Sequence, residues 1–165
     1  MHKEAQDWIF KCFHEWRKDK TELSVLEIGS LDINGSIKSM FEPFATRYVG
    51  IDVQEGPGVD VVAAGQGYWA PAEFDVVVTA ETFEHTPDWK DIIKQSYINL
   101  KYDGLFVATM AGEGRPPHSA LDEKPIRDWE HYANIGGWDL HHNLWMFKAK
   151  HVNILNTDTR CWALK

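Results

Sequence analysis

The sequence predicts an α/β fold: a three-layer αβα sandwich around a mostly parallel seven-stranded sheet, with one antiparallel strand near the C-terminus. Three observations predict it. Short apolar runs rich in β-branched residues alternate with amphipathic helical segments, the pattern of a parallel sheet covered on both faces. Successive parallel strands connect by right-handed crossovers, which sets the general topology. Two strand-like runs close the chain, joined by the polar stretch Asn156 to Thr159, and that hairpin supplies the antiparallel strand.

Residues 4 to 18 read as an opening helix, because Trp8, Ile9, Cys12, Phe13 and Trp16 recur at helical spacing on one face. That face either packs on the domain or forms a lid over a ligand. Leu23 to Ile28 is a buried strand that stops at Gly29, and Ser36 to Ala45 reads as a helix. Tyr48 to Asp52 is the second strand, and Gly56-Pro57-Gly58 marks a turn. Val59 to Ala63 is the third strand, followed by a Gly/Trp/Pro segment in place of a full helix. Phe74 to Thr79 is the fourth strand, strongly β-branched. The next helix spans roughly 88 to 100, and Asp103-Gly104 breaks the chain before a fifth strand, Leu105 to Met110. Residues 111 to 137 are rich in Gly, Pro and charge, with one helix expected from Pro125 to Asn134 and a further one around 139 to 149. Val152 to Leu155 and Arg160 to Leu164 are the closing strands.

A chain of 165 residues fits one domain, 1–165, with residues 1–20 as the N-terminal helix and 111–150 as a segment covering the acceptor site. The formal net charge of −8 gives no global reason to bind nucleic acid or an anionic membrane. Cys12 and Cys161 are too few for a disulfide scaffold, lack metal-site spacing and read as buried thiols. No apolar stretch approaches the roughly 20 residues that cross a bilayer, and the acidic N-terminus is not a signal peptide, so a cytoplasmic location is expected.

Ligands of open α/β sheets bind beyond the carboxyl ends of the strands. The informative residues fall there: Glu27, Gly29 and Ser30 after the first strand, Asp52 after the second, Ala64 and Gly65 after the third, and Thr79, Ala80 and Glu81 after the fourth. Gly29 lacks a Cβ and permits close backbone approach to a ligand. Asp52 stands 23 positions later, near the spacing at which nucleoside-binding βαβ units place an acid on the ribose hydroxyls. There is no Gly-x-Gly-x-x-Gly and no phosphate loop, and Asp32 would repel a phosphate. That combination favours a cofactor with ribose and adenine but no phosphate. S-adenosylmethionine answers the description, and its cationic groups would find neighbours in Glu27, Asp32 and Glu81.

At these residues the chain resembles the class I methyltransferases. Val25-Leu26-Glu27-Ile28-Gly29-Ser30 looks like their first motif and Tyr48-Val49-Gly50-Ile51-Asp52 their acidic second motif. Phe74 to Val78 followed by Phe83-Glu84-His85-Thr86-Pro87-Asp88-Trp89 is similar to the fourth-motif region of the small "type 11" members, and Leu100 to Leu105 to their helix-to-strand junction. The resemblance runs from about Leu23 to Met110 and implies a Rossmann-like fold and a S-adenosylmethionine cofactor. It implies that Glu27 and Gly29 meet the methionine part, that Asp52 holds the ribose and Val53 lies beside the adenine. Ala64 and Gly65 would flank the adenine edge, and Thr79 and Glu81 the sulfonium side. The motif's usual second glycine is Leu31 here.

The expected activity is therefore methyl transfer to a small-molecule or sugar-like acceptor. His85, just after the fourth strand, is the candidate general base, against a structural role capping the next helix. Glu84 reads as a structural partner. His118, His131, His141 and His142 lack the spacing of a metal site, so no metal is expected. Some of them, with Trp129, Tyr132 and Trp138, would line the acceptor pocket. Two rival readings remain: a degenerate, non-catalytic binding module, and a nicotinamide-dependent oxidoreductase, against which the missing dinucleotide glycines argue.

Overall fold

A computed structural model describes residues 2–122 and 124–165. Met1 and Glu123, which fall in the expected N-terminal and covering segments, lie outside the described residues. The elements are α1 (Lys3–Arg17), β1 (Leu23–Ile28), α2 (Lys38–Phe41), β2 (Ala45–Asp52), β3 (Val61–Val62) and β4 (Phe74–Ala80), then a 3₁₀ turn (Phe83–His85). They continue with α3 (Trp89–Asn99), β5 (Leu100–Ala111), α4 (Gly137–Asn143), β6 (Ala149–Leu155) and β7 (Asp158–Leu164). The strands form a seven-stranded sheet in the order β3-β2-β1-β4-β5-β7-β6. The first five are parallel, and β7 runs antiparallel to both its neighbours. The single antiparallel strand of the sequence reading is therefore β7.

All six residues of β1 are buried, which explains why its sequence is a continuous apolar run rather than an alternating one. Along the central strands successive side chains go to opposite faces. Val25, Val76, Val78, Leu105 and Val107 meet Ile9, Phe13, Ile37 and Phe41 on one face. Leu26, Val77 and Phe106 meet Trp89, Ile92, Ile93, Leu140 and Phe147 on the other. This split makes the three layers. The opening helix packs on the sheet through Ile9, Cys12 and Phe13, which resolves the choice between packing and lid in favour of packing. Both cysteines are buried and free.

Several expected boundaries need correction. The helix expected from Ser36 to Ala45 is only Lys38–Phe41. Pro43 has no N–H to donate to the preceding turn, and the chain enters β2 at Ala45. The third strand shrinks to two exposed residues, Val61 and Val62, at the sheet edge. Asp103-Gly104 does not break the chain: β5 is continuous from Leu100 and absorbs a register shift there, with Asp103 at φ 61°. Residues 125–134 form turns rather than a helix. Arg127 and Glu130 bond each other and the Ser119 hydroxyl, which holds the segment by side chains instead of a backbone ladder. The helix expected near 139 to 149 is Gly137–Asn143, because the chain from Ala149 is already in the sheet. The closing turn is tight, with Leu155 paired to Asp158 and Asn156 at φ 55°.

From β1 the chain moves outward to β2 and β3, then returns to place β4 on the other side of β1. The sheet order reverses at this point, and a crevice opens beyond the carboxyl ends of the strands. No described helix is long and apolar enough to cross a membrane.

Candidate active site

The crevice holds a cavity of about 510 Å³, a volume suited to a small ligand. Glu27, Gly29, Ser30, Asp52, Val53, Ala64, Gly65, Glu81 and His85 all line it. The segments that follow four strands far apart in sequence thus converge. Thr79 is the exception: it is buried within β4 and does not line the cavity, and Thr82 stands there instead. The strand continues to Ala80, so the wall begins one residue beyond the expected end of β4.

At the β1 end, Glu27 is only 4% exposed and accepts a hydrogen bond from the Tyr48 hydroxyl at 2.5 Å. Burial pushes its carboxyl up to about 7, with the Tyr48 bond acting in the opposite direction. Gly29 follows at φ +78°, a conformation that L side chains rarely adopt. A Cβ there would lie 2.1 Å from Thr82 Oγ1, so the space beside this glycine is taken by the chain's own threonine. The Cβ-free side of Gly29 thus meets the β4 end, and the residue also lines the cavity.

Asp52 closes β2 and is fixed by the loops around it. Its Oδ2 accepts the Leu31 N–H at 3.2 Å and its Oδ1 the Gln54 N–H at 3.0 Å. A carboxylate offers about four acceptor sites, so capacity remains for two ligand hydroxyls. Leu31, where the motif's second glycine would stand, donates its backbone N–H to this acid. Val53, 66% exposed, and Ala64 and Gly65 form the neighbouring wall.

Glu81 adopts φ +54° after β4, and its N–H bonds Thr109 O at 2.8 Å. One carboxylate oxygen, Oε1, is buried with no partner among the described residues, and so is Ser30 Oγ. The other Glu81 oxygen lies 3.6 Å from Arg115 and 3.7 Å from His2. Arg115 also binds Asp158 at 2.5 Å and His2 binds the same carboxylate at 2.7 Å. These four residues tie the start of α1, the end of β4, the loop after β5 and the final hairpin around one side of the cavity. Sequence reading missed His2 and Arg115; neither carries a local pattern, and only their ion pairs reveal them.

His85 sits in the 3₁₀ turn after β4, its ring edge-on to His118 and Tyr132 at centroid distances of 5.1 and 5.5 Å. Burial pulls its pKa down to about 4, so it is neutral at pH 7. Glu84, fully buried, accepts the Ala111 N–H at 3.0 Å. Burial first, then the Glu81 charge, holds its carboxyl well above the ordinary range. It is a structural partner to β5, as expected. His118, Trp129 and His131 line the cavity, whereas Trp138, His141 and His142 line a separate surface depression beside α4. Only the first part of the 111–150 segment therefore faces the cavity; α4 and Phe147 pack into the core beneath the other face.

An α/β sheet with a nucleoside-compatible acid at the second strand end, and acids rather than a phosphate loop at the first, defines a class of small-ligand enzyme. Comparison with known proteins makes it specific. The family model described as a methyltransferase domain matches residues 1–165. The chain belongs to this family: it is a methyltransferase of class I, the S-adenosylmethionine-dependent type. Solved structures share the fold at low identity. The S-adenosylmethionine-dependent methyltransferase from Mesorhizobium loti is 14% identical, with a TM-score of 0.70 and 98% of each chain covered. The 1,6-didemethyltoxoflavin-N1-methyltransferase of Burkholderia thailandensis, solved with 1,6-didemethyltoxoflavin and S-adenosylhomocysteine, is 14% identical at TM-score 0.70, over 98% of this chain and 78% of that one. A methyltransferase from Archaeoglobus fulgidus is 13% identical at TM-score 0.67, covering 98% and 95%. A search of curated proteins finds no match.

Proposed function

We propose that this methyltransferase acts on a small-molecule acceptor, a flat or sugar-like ring, held at the His118–Trp129–His131 side of the cavity. The observation that carries the reading is the cavity itself: it joins the acid-lined cofactor end to a histidine- and tryptophan-lined end in one continuous space. The Burkholderia structure, with a small ring compound as its bound partner, supports the same acceptor class.

The residues present fit the cofactor. Asp52 keeps acceptor capacity for two ribose hydroxyls, with Val53, Ala64 and Gly65 beside the adenine. Glu27, Gly29 and Ser30 take the methionine part, and the unpartnered Ser30 Oγ and Glu81 Oε1 offer polar contacts to it. When bound, S-adenosylmethionine supplies a methyl carbon activated by a cationic sulfur. The chain's part is to hold the acceptor in line with that carbon and to exclude water. Where the acceptor must lose a proton, His85 faces it from the cavity wall in its neutral form. A pKa near 4 makes this a weak base at neutral pH.

Isothermal titration with S-adenosylmethionine and S-adenosylhomocysteine tests the reading. Binding that Asp52→Ala weakens by about 1–3 kcal/mol, the loss expected for charge-assisted hydrogen bonds, supports it. Absence of binding by either ligand to the wild-type chain refutes it and favours the non-catalytic binding module.

A further inference from the structure

Three buried polar atoms at the acceptor end have no hydrogen-bond partner among the described residues: Glu84 Oε2, His85 Nδ1 and the Tyr132 hydroxyl. Unpaired polar groups are costly to bury. They belong to one cluster. Glu84, His85 and His118 each place a ligand atom within 4.8 Å of the other two. The Tyr132 ring packs edge-on against both histidines, at 5.5 and 5.1 Å.

Two of the three groups are also held from behind. Glu84 uses Oε1 to accept the Ala111 N–H, which leaves Oε2 free. His118 Nδ1 lies 3.2 Å from Pro116 O. A carbonyl can only accept, so Nδ1 carries the hydrogen and Nε2 of the neutral ring keeps its lone pair. A backbone carbonyl on the outer nitrogen is the usual support of a metal-binding histidine. We propose that Glu84, His85 and His118 form a site for a divalent transition-metal cation of the zinc or cobalt type, opening on the cavity.

The donor set suits that class of ion: two imidazoles and one carboxylate, with a further position open. His85 and His118 line the cavity, so the open position faces it. Ligand atoms about 2.0–2.2 Å from a tetrahedral ion lie about 3.4 Å apart, so the three side chains draw together when the ion binds. Sequence spacing gives no sign of this site. His118 stands 33 positions after His85, on a loop whose path nothing local announces.

The use of the site rests on the methyltransferase reading. An acceptor oxygen takes the open position, and its hydroxyl loses a proton to solvent at lower pH than it would free in water. His85 then serves as a ligand and not as a free base. This favours acceptors that carry a hydroxyl group.

The test uses the full chain, treated with chelator and titrated with Co²⁺ and Zn²⁺ by calorimetry and visible absorption. One equivalent should bind, and Co²⁺ should show the d–d bands of a low-symmetry nitrogen/oxygen site. His118→Ala and Glu84→Gln should each weaken binding by at least about tenfold, with circular dichroism unchanged. If Glu84→Gln does not fold, His85→Gln takes its place. No binding to the wild-type chain overturns the site, and so does a smaller change in His118→Ala. The cofactor titration is read separately. Metal binding without cofactor binding sinks the methyltransferase reading alone, and the reverse sinks the metal site alone.

Discussion

Glu27 shows how burial sets chemistry at a single residue. Its carboxyl titrates near 7 because the β1 end is shielded from water, although the Tyr48 hydroxyl stabilises the charged form. A cationic cofactor prefers the ionised form, so binding below about pH 7 must first expel a proton. Affinity for S-adenosylmethionine should therefore rise about tenfold from pH 6 to 8. Calorimetry in buffers of different ionisation enthalpy should detect the released proton. Glu27→Gln should flatten the profile; a slope that survives the substitution assigns the titration elsewhere. Gly29 gives a packing counterpart. Gly29→Ala meets Thr82 Oγ1 at 2.1 Å and an unfavourable φ, and should destabilise the fold by about 1–3 kcal/mol in urea titration. Thr82→Ala removes the two closest atoms and leaves the Thr82 Cβ at 3.1 Å, so it should recover part of that loss. Additive effects would show that the two residues do not compete for space.

Among the elements, α1 has the plainest energetic role. Its apolar stripe is spent on the sheet: Ile9 and Phe13 are fully buried against β1, β4 and β5 side chains. Phe13→Ala should cost about 3–5 kcal/mol, a core truncation rather than the loss of a mobile cover. A change below 1 kcal/mol by chemical denaturation would restore the lid reading. The polar start of the helix has a different task. His2 reaches Asp158 and approaches Glu81, so the element that fills the core also closes one side of the cavity. The segment from Ser119 to Glu130 is the opposite case. Few of its described side chains are buried, so Arg127 and Ser119 bonds to Glu130 keep it in place, and those bonds won over helix formation.

At the scale of the molecule, one sheet serves two cores. Phe13 lies on one face and Ile93 on the other, and the same strands carry both clusters. Phe13→Ala and Ile93→Ala should therefore lower one shared unfolding transition, seen alike by fluorescence and circular dichroism. Two separable transitions would divide the chain into independent units. The same sheet fixes the site. Because the order reverses at β1, the ends of β1, β2 and β4 open on a common space, and side chains from residues 2 to 131 meet there.

The sequence by itself determined the sheet class, the antiparallel closing strand and part of the cavity wall, including Glu27, Asp52, Glu81 and His85. These follow from local signals: an apolar run, the residue that ends it, and the side of the sheet on which all such ends must lie. Tertiary structure alone decided the rest. The short α2, the turns in place of a helix near Pro125, the buried Thr79 and the Thr82 contact at Gly29 depend on partners distant in sequence. So do the Arg115–Glu81–His2–Asp158 network and the Glu84–His85–His118 cluster. Periodicity and turn chemistry are written between neighbours in the chain, whereas ion pairs and clustered ligands are made between residues that only folding brings together.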